Sequence, residues 1–316
     1  MKKLPLLLAF SATLAAGSFL RARADEPNFA RTFYERGLNH ARFHRYADAL
    51  DDYSRAIKLN PKFVDAYFSR SSVYASDLPI VERDYAKAAA DLTTILEIVP
   101  RDFSARFNRA LCYEQLRQYD DAIGDFSTII ENGADFSRVA EKTACLVHAY
   151  HNRGRAYQWY KKDYAKAVAD FGEALRLNPK AEMVRYRRGQ AYNALAEYAK
   201  AESDFRAALA RDPQYPNLLA AYAWQLAACP DPKFRDGKKA AELARRANQP
   251  FGNTVPDHLE ALAAACAENG EFAEAVKCQK KAIEQIVFNA PVRPEIKQAM
   301  EDRLKLYEAG QPYRAP

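Results

Sequence analysis

Tyr-Ala-Lys-Ala-Val-Ala-Asp-Phe at 164–171 returns as Tyr-Ala-Lys-Ala-Glu-Ser-Asp-Phe at 198–205, and Asn178-Pro179 is answered by Asp212-Pro213 across the same step of 34 residues. Within each copy a small residue, an aromatic and a second small residue stand four and then three positions apart: Ala167, Phe171, Ala174 and Ala201, Phe205, Ala208. Those spacings place all three on one face of a helix, with the small residues where two helices cross closely. The stretch before each copy has its own helical pattern, Tyr150, Gly154, Tyr157 and then Gly189, Tyr192. The repeating unit is therefore a pair of helices.

Working outward, the same unit appears three more times. Residues 30–61 carry Phe33, Gly37, Tyr46, Ala49, Tyr53 and Ala56. Residues 64–100 carry Tyr67, Ser71, Tyr74, Tyr85, Ala88, Leu92 and Ile95, and residues 103–134 carry Ala110, Tyr113, Tyr119, Ala122, Phe126 and Ile129. Two degenerate units follow, from Pro216 to Gln249 and from Pro256 to Glu284, and Glu295 to Ala309 reads as a closing helix. Two insertions break the period: Ser76 to Arg83 lengthens the turn of the second repeat, and Phe136 to Leu146 extends the first helix of the fourth.

This pattern resembles the tetratricopeptide repeat family, five times in tandem. The resemblance implies an all-α fold, a right-handed α-solenoid of helix-turn-helix units with a C-terminal capping helix that covers its open end. The expected organisation is a signal peptide over 1–24, five repeats over 25–213, two degenerate repeats over 214–293, and the capping helix and tail over 294–316. It leaves no stretch for a separate catalytic domain.

The signal peptide reading rests on Lys2 and Lys3, the apolar run Leu4 to Leu20, and Ala22-Arg23-Ala24 before Asp25. It implies a bacterial exported protein of the periplasm, cell envelope or medium; an uncleaved anchor is the lesser alternative, carried by Arg21 and Arg23. No other stretch is expected to span a membrane. The chain has 316 residues, 49% apolar and 28% charged, too apolar for a disordered chain. Its formal charge of +6 falls to +2 once the four basic residues of the first 24 are removed, so charge gives no argument for nucleic-acid binding. The five cysteines, Cys112, Cys145, Cys229, Cys266 and Cys278, form no C-x-x-C pair and are read as core residues, with Cys266 and Cys278 the pair to test as a disulfide.

Arg36, Arg70, Arg109, Arg153 and Arg188 recur just before the small residue of each first helix. Asp52, Asp91, Asp125, Asp170 and Asp204 recur just before the aromatic or leucine of each second helix. Both series stop after the fifth repeat, where Tyr222 and Leu262 take the arginine position. The expectation is a ladder of Arg–Asp pairs, because the guanidinium fork meets a carboxylate with two hydrogen bonds. The rival is an arginine row that binds an acidic or phosphorylated ligand.

Chemistry-bearing motifs are sparse. No two glycines lie closer than nine residues, which excludes a phosphate-binding glycine loop, and no H-E-x-x-H or G-x-S-x-G occurs. His40 with His44, and His148 with His151, could each offer two metal ligands where zinc needs three or four. No cofactor and no enzymatic activity are expected. The family pattern places Tyr34, Phe68, Phe107, His151 and Tyr186 on the exposed concave face, with Arg155, Gln190, Trp159 and Asn193 beside them. An aromatic stripe flanked by amides suits an extended protein or peptide partner; the competing account is that these aromatics pack against the neighbouring repeat. Asn108 and Asn152 match the chaperone-tail clamp of some family members in type, but Asp65, Phe68 and Ser69 make no cationic pocket, so capture of an acidic C-terminus is not implied. The function expected is a non-enzymatic scaffold or adaptor. The alternatives are a holdase-like or envelope-assembly factor with many weak clients, and a metal protein or enzyme using the groove histidines.

Overall fold

The computed structural model describes residues 29–76, 83–132, 139–252, 254–289 and 294–315. Among them it is all-α, with fifteen α-helices and no strand. They fall into two compact units that meet in sequence between Lys162 and Asp163.

The N-terminal unit contains α1 (Phe29–Arg42), α2 (Tyr46–Leu59), α3 (Val64–Ala75), α4 (Tyr85–Ile98), α5 (Phe103–Gln115), α6 (Tyr119–Asn132) and α7 (Val139–Ala156), which runs into a π-helical turn, Tyr157–Lys161. α1 packs on α2, α3 on α4 and α5 on α6, with α4 against α5 and α6 against α7 linking successive pairs. α7 is 18 residues long where α1 to α6 have 12 to 14. Residues 139–146 thus extend a first helix, as expected for that insertion. Most of the other insertion, residues 77–82, lies outside the described residues.

The C-terminal unit contains α8 (Tyr164–Leu177), α9 (Glu182–Ala194), α10 (Tyr198–Leu209), α11 (Pro216–Ala228), α12 (Gly237–Asn248), α13 (Pro256–Glu268), α14 (Phe272–Asn289) and α15 (Pro294–Glu308). α15 is the capping helix. Its Met300 and Tyr307 are buried, Met300 beside Leu259 of α13 and Ala282 of α14. Buried Gln279 of α14 donates to the Met300 carbonyl at 3.0 Å.

Local chemistry sets the helix boundaries. Asp84, Asp102, Asp163 and Asp236 cap α4, α5, α8 and α12, each accepting from a backbone N–H three residues on. Proline opens α11, α13 and α15, where its missing N–H has no helical partner to lose. After α1, α5, α9 and α13, and after the π-turn that follows α7, the chain turns sharply through left-handed backbone. His44, Arg117, Lys162, Ala196 and Gly270 fill these turns, with φ between 54° and 80°.

The small–aromatic–small face is the core. Ala49, Tyr53, Ala56; Ala88, Leu92, Ile95; Ala122, Phe126, Ile129; Ala167, Phe171, Ala174; and Ala201, Phe205, Ala208 are all at most 4% exposed. A Cβ on Gly37 would lie 2.6 Å from the Tyr53 ring, and one on Gly189 would lie 2.5 Å from the Phe205 ring. The helices approach so closely there that the aromatic fills the glycine's missing side chain.

Candidate protein-binding face

Within the two units, four recurrent arginines pair with their aspartates. Arg36 donates through Nε and Nη2 to the two carboxylate oxygens of Asp52 at 2.7 and 2.5 Å. Arg70 does the same to Asp91 at 2.9 and 2.6 Å, Arg109 to Asp125 at 2.8 and 2.7 Å, and Arg188 to Asp204 at 2.7 and 2.8 Å. The fifth couple, Arg153 and Asp170, has one member in each unit. The four carboxylates are at most 5% exposed. Hydrogen bonds from Arg36 hold the Asp52 carboxyl below the usual carboxylate range, and the bonds that Arg70, Arg109 and Arg188 donate to Asp91, Asp125 and Asp204 raise those guanidinium groups. These arginines are committed to the helix pairs, which removes the main support for an arginine row facing a ligand.

A second link was not foreseen. Arg70 also donates to Ser54 Oγ at 2.9 Å, Arg109 to Thr93 Oγ1 at 3.1 Å and Arg153 to Ser127 Oγ at 2.9 Å. Each hydroxyl stands two residues after the aspartate of the preceding repeat, so the guanidinium of Arg70 or Arg109 ties a helix pair internally and joins it to its neighbour. The sequence signal was a Ser or Thr at Asp+2 in three consecutive repeats. At the arginine position of α11, Tyr222 donates instead to Glu202 at 3.0 Å.

The residues expected on the exposed face sit on the first helices, at i, i+4 and i+7 or i+8 from the aromatic. On α3 the stripe is Phe68, Ser72, Ala75, and Ser76 at its end. On α5 it is Phe107, Leu111, Glu114. On α7 and its π-turn it is His151, Arg155, Gln158, Trp159. Phe68, Ser72 and Ser76 line a shallow cleft with Ser71, Asn108 and Cys112. The serine hydroxyls there donate to carbonyls of their own helix, at 2.8 Å from Ser71 and 2.9 Å from Ser72 to Phe68 and 2.6 Å from Ser76 to Ser72. Ser71, Ser76 and Cys112 are buried, and what remains presented is Ser72 and Ala75 beside half-buried Phe68.

Packing takes part of the aromatic stripe. Tyr34 lies 5.0 Å from Phe63 just before α3, Phe107 lies 6.4 Å from His148 on α7, and Tyr186 lies 5.9 Å from Tyr215 just before α11. Each therefore reaches the start or flank of the next first helix. Tyr34 and Phe107 stay half-buried, whereas Tyr186 departs from the expectation of an exposed position: it is 6% exposed, and burial raises its phenol pKa. Gln190 accepts from Arg187 at 3.1 Å, and Asn193 is half-buried. Trp159 is 46% exposed, with the Arg155 guanidinium 5.9 Å from its ring centre.

Glu114 is a residue that sequence reasoning missed. It is buried on α5 and pairs with Arg155 of α7. Burial pushes its carboxyl upward, against the pull of Arg155. It occurs once and so left no periodic trace. The cue was its place seven residues after Phe107, opposite the α7 stripe.

The histidine pairs divide. His40 Nε2 lies 3.4 Å from Asp52 Oδ2, whereas His44 is in the left-handed turn and its ring hydrogen-bonds the Tyr46 hydroxyl at 2.8 Å. Burial lowers the pKa of His148. No group of three or more His, Cys, Asp or Glu side chains arranged for a metal occurs among the described residues. Cys112, Cys229, Cys266 and Cys278 are buried thiols, and burial pushes Cys112 and Cys266 up to about 12 and Cys278 to about 11. No described helix is long and apolar enough to cross a membrane.

Comparison with known proteins agrees with this architecture. A family profile described as tetratricopeptide repeat matches residues 81–135 and 156–216, and a second profile of the same description matches 30–63. The chain is 28% identical over 202 residues to the DnaJ protein P58IPK homolog of Arabidopsis thaliana, covering 61% of this chain and 39% of the relative. It is 24% identical over 226 residues to the P58IPK homolog A of Oryza sativa subsp. japonica, covering 69% and 45%. The chain thus spans less than half the length of these curated relatives. Among solved structures, a tetratricopeptide repeat protein from Parabacteroides merdae aligns with a TM-score of 0.59 at 15% identity, over 89% of this chain and all of that one. Pseudomonas aeruginosa pilF aligns with a TM-score of 0.52 at 17% identity, over 71% and 92%.

Proposed function

The chain belongs to the tetratricopeptide repeat family, whose members generally bind other proteins, and from that premise we propose that it is a non-enzymatic scaffold docking a protein or extended peptide on the first-helix face of its N-terminal unit. The observation that carries this reading is the division of labour between helix faces. The charged ladder is consumed internally, and the stripes present half-buried Phe68 with Ser72 and Ala75 on α3, and exposed Trp159 after α7. Small residues let a partner backbone come close, and the aromatics supply apolar anchors. Docking on such a preformed surface needs no chemistry.

The test is affinity capture with the native chain beside a Phe68→Ala/Trp159→Ala chain, both shown to be folded by circular dichroism. A discrete protein retained by the first and lost by the second supports the face. Equal capture by both would overturn its placement. We propose also that residues 1–24 direct export; the first residue of the protein isolated from an envelope fraction is then Asp25, and an intact Met1 would contradict cleavage.

A further inference from the structure

The segment that follows α15 folds back onto the C-terminal unit as an extended peptide. Gly310, at φ +67°, ends the helix in a left-handed turn in which Gln311 N–H reaches the Leu306 carbonyl at 2.9 Å and Gly310 N–H that of Tyr307 at 3.1 Å. The chain then runs along the C-terminal end of α11. Ala315 N–H donates to the Ala228 carbonyl at 2.8 Å, and Arg314 Nη1 donates to the Ala227 carbonyl at 3.2 Å. Arg314 Nη1 also lies 2.6 Å from Glu268 Oε2 on α13. The Tyr313 ring sits 5.6 Å from Trp224, and the Arg303 guanidinium lies 5.4 Å from Tyr313 and 5.6 Å from Trp224.

These contacts describe a slot and its occupant. The slot has an aromatic wall, Trp224; a cationic lid, Arg303; a carboxylate, Glu268; and two carbonyls at the end of a first helix. The occupant offers an aromatic ring, then an arginine, then a backbone N–H. The slot is also built to stand without it. Arg303 keeps Glu260, which accepts from its Nε at 3.0 Å, and Glu268 keeps Arg235, whose Nε is 3.1 Å away. Removing the segment therefore orphans no buried charge, the event that makes most buried ion pairs expensive to break. Tyr313, Arg314 and Ala315 are only half-buried.

We propose that this slot on α11 and α13 is a peptide-binding site for an extended partner segment carrying an aromatic residue followed by arginine, and that residues 313–315 occupy it in cis. The proposal adds a second site to the scaffold reading and relies on that reading for its biological sense, but its probe is independent of the N-terminal face. A tethered occupant holds its site at an effective concentration on the order of millimolar. A partner in trans thus competes against the chain's own segment and wins only by affinity or abundance.

The probe is a fluorescein-labelled peptide, Ala-Gly-Gln-Pro-Tyr-Arg-Ala-Pro, with a control in which its Tyr and Arg are Ala. In fluorescence anisotropy the full chain carrying Tyr313→Ala and Arg314→Ala binds the probe saturably, the native chain binds it at least tenfold more weakly, and the control peptide binds neither. Glu268→Gln in the double variant weakens the probe further. A folded double variant that ignores the probe, equal binding by native and variant chains, or equal binding of the control would overturn the proposal. A second measurement uses the native chain alone: millimolar unlabelled peptide accelerates hydrogen exchange at the Ala315 amide. Unchanged exchange there would overturn displacement. Failure of either test leaves the capture result at Phe68 and Trp159 unaffected, so the two sites are judged separately.

Discussion

At the scale of single residues, the arginines of the first helices hold the helix pairs together. Arg70 has Asp91 as its carboxylate partner and Ser54 as its link to the preceding pair, and both ends of the ion pair are largely buried. Arg70→Met leaves a buried carboxylate uncompensated and lowers stability by about 3 kcal/mol, read by thermal or urea denaturation. Arg70→Met/Asp91→Leu recovers most of that loss, because the second change removes the stranded charge; a double variant no more stable than the single would contradict this account. Arg36–Asp52 gives the pH signature. The Asp52 carboxyl is held below its ordinary range, chiefly by hydrogen bonds from Arg36, so its contribution is present above that range and is lost as pH falls through the lowered value. Asp52→Asn flattens the acid limb of a stability–pH curve, and an unchanged limb would deny the pair that role. The Arg and Asp positions were legible in the sequence because they recur and vanish together. The hydroxyls at Ser54, Thr93 and Ser127 were harder to see because two residue types share the task. Glu114 was hidden because it occurs once.

At the scale of the element, the helices follow from the spacing of small and aromatic residues, and each expected small–aromatic–small triplet lies in the core. The turns were less readable. His44, Arg117, Lys162 and Ala196 share a left-handed conformation with Gly270, yet nothing in their side chains announces it. The geometry of the helix pair imposes it. For exposed Ala196, a left-handed backbone costs about 1 kcal/mol. Ala196→Gly relieves that cost but adds freedom to the unfolded chain, for a net gain of roughly 0.5 kcal/mol. A rise in melting temperature checks it, and a fall would mean that the turn is unstrained. The π-turn that ends α7 was likewise invisible to pattern reading, although it is the element that carries exposed Trp159.

At the scale of the whole molecule, the sequence made the helix-pair repeat plain, because five copies of one unit average out the exceptions in each. It was less informative about which face is free. The aromatic column 34, 68, 107, 151, 186 serves packing as well as exposure, and only the structure separates buried Tyr186 from half-buried Phe68 and exposed Trp159. The segment at 313–315 lies outside the period and had no template. The central claim is that ladder residues hold the fold while the first-helix face holds the partner. The most direct measurement compares retention of the captured protein by the native chain, by Arg70→Met and by Phe68→Ala/Trp159→Ala, at a temperature where circular dichroism shows all three folded. The account predicts that Arg70→Met melts earlier yet retains the protein, while the face variant melts closer to the native chain and releases it. Loss of the protein by Arg70→Met with retention by the face variant would contradict it.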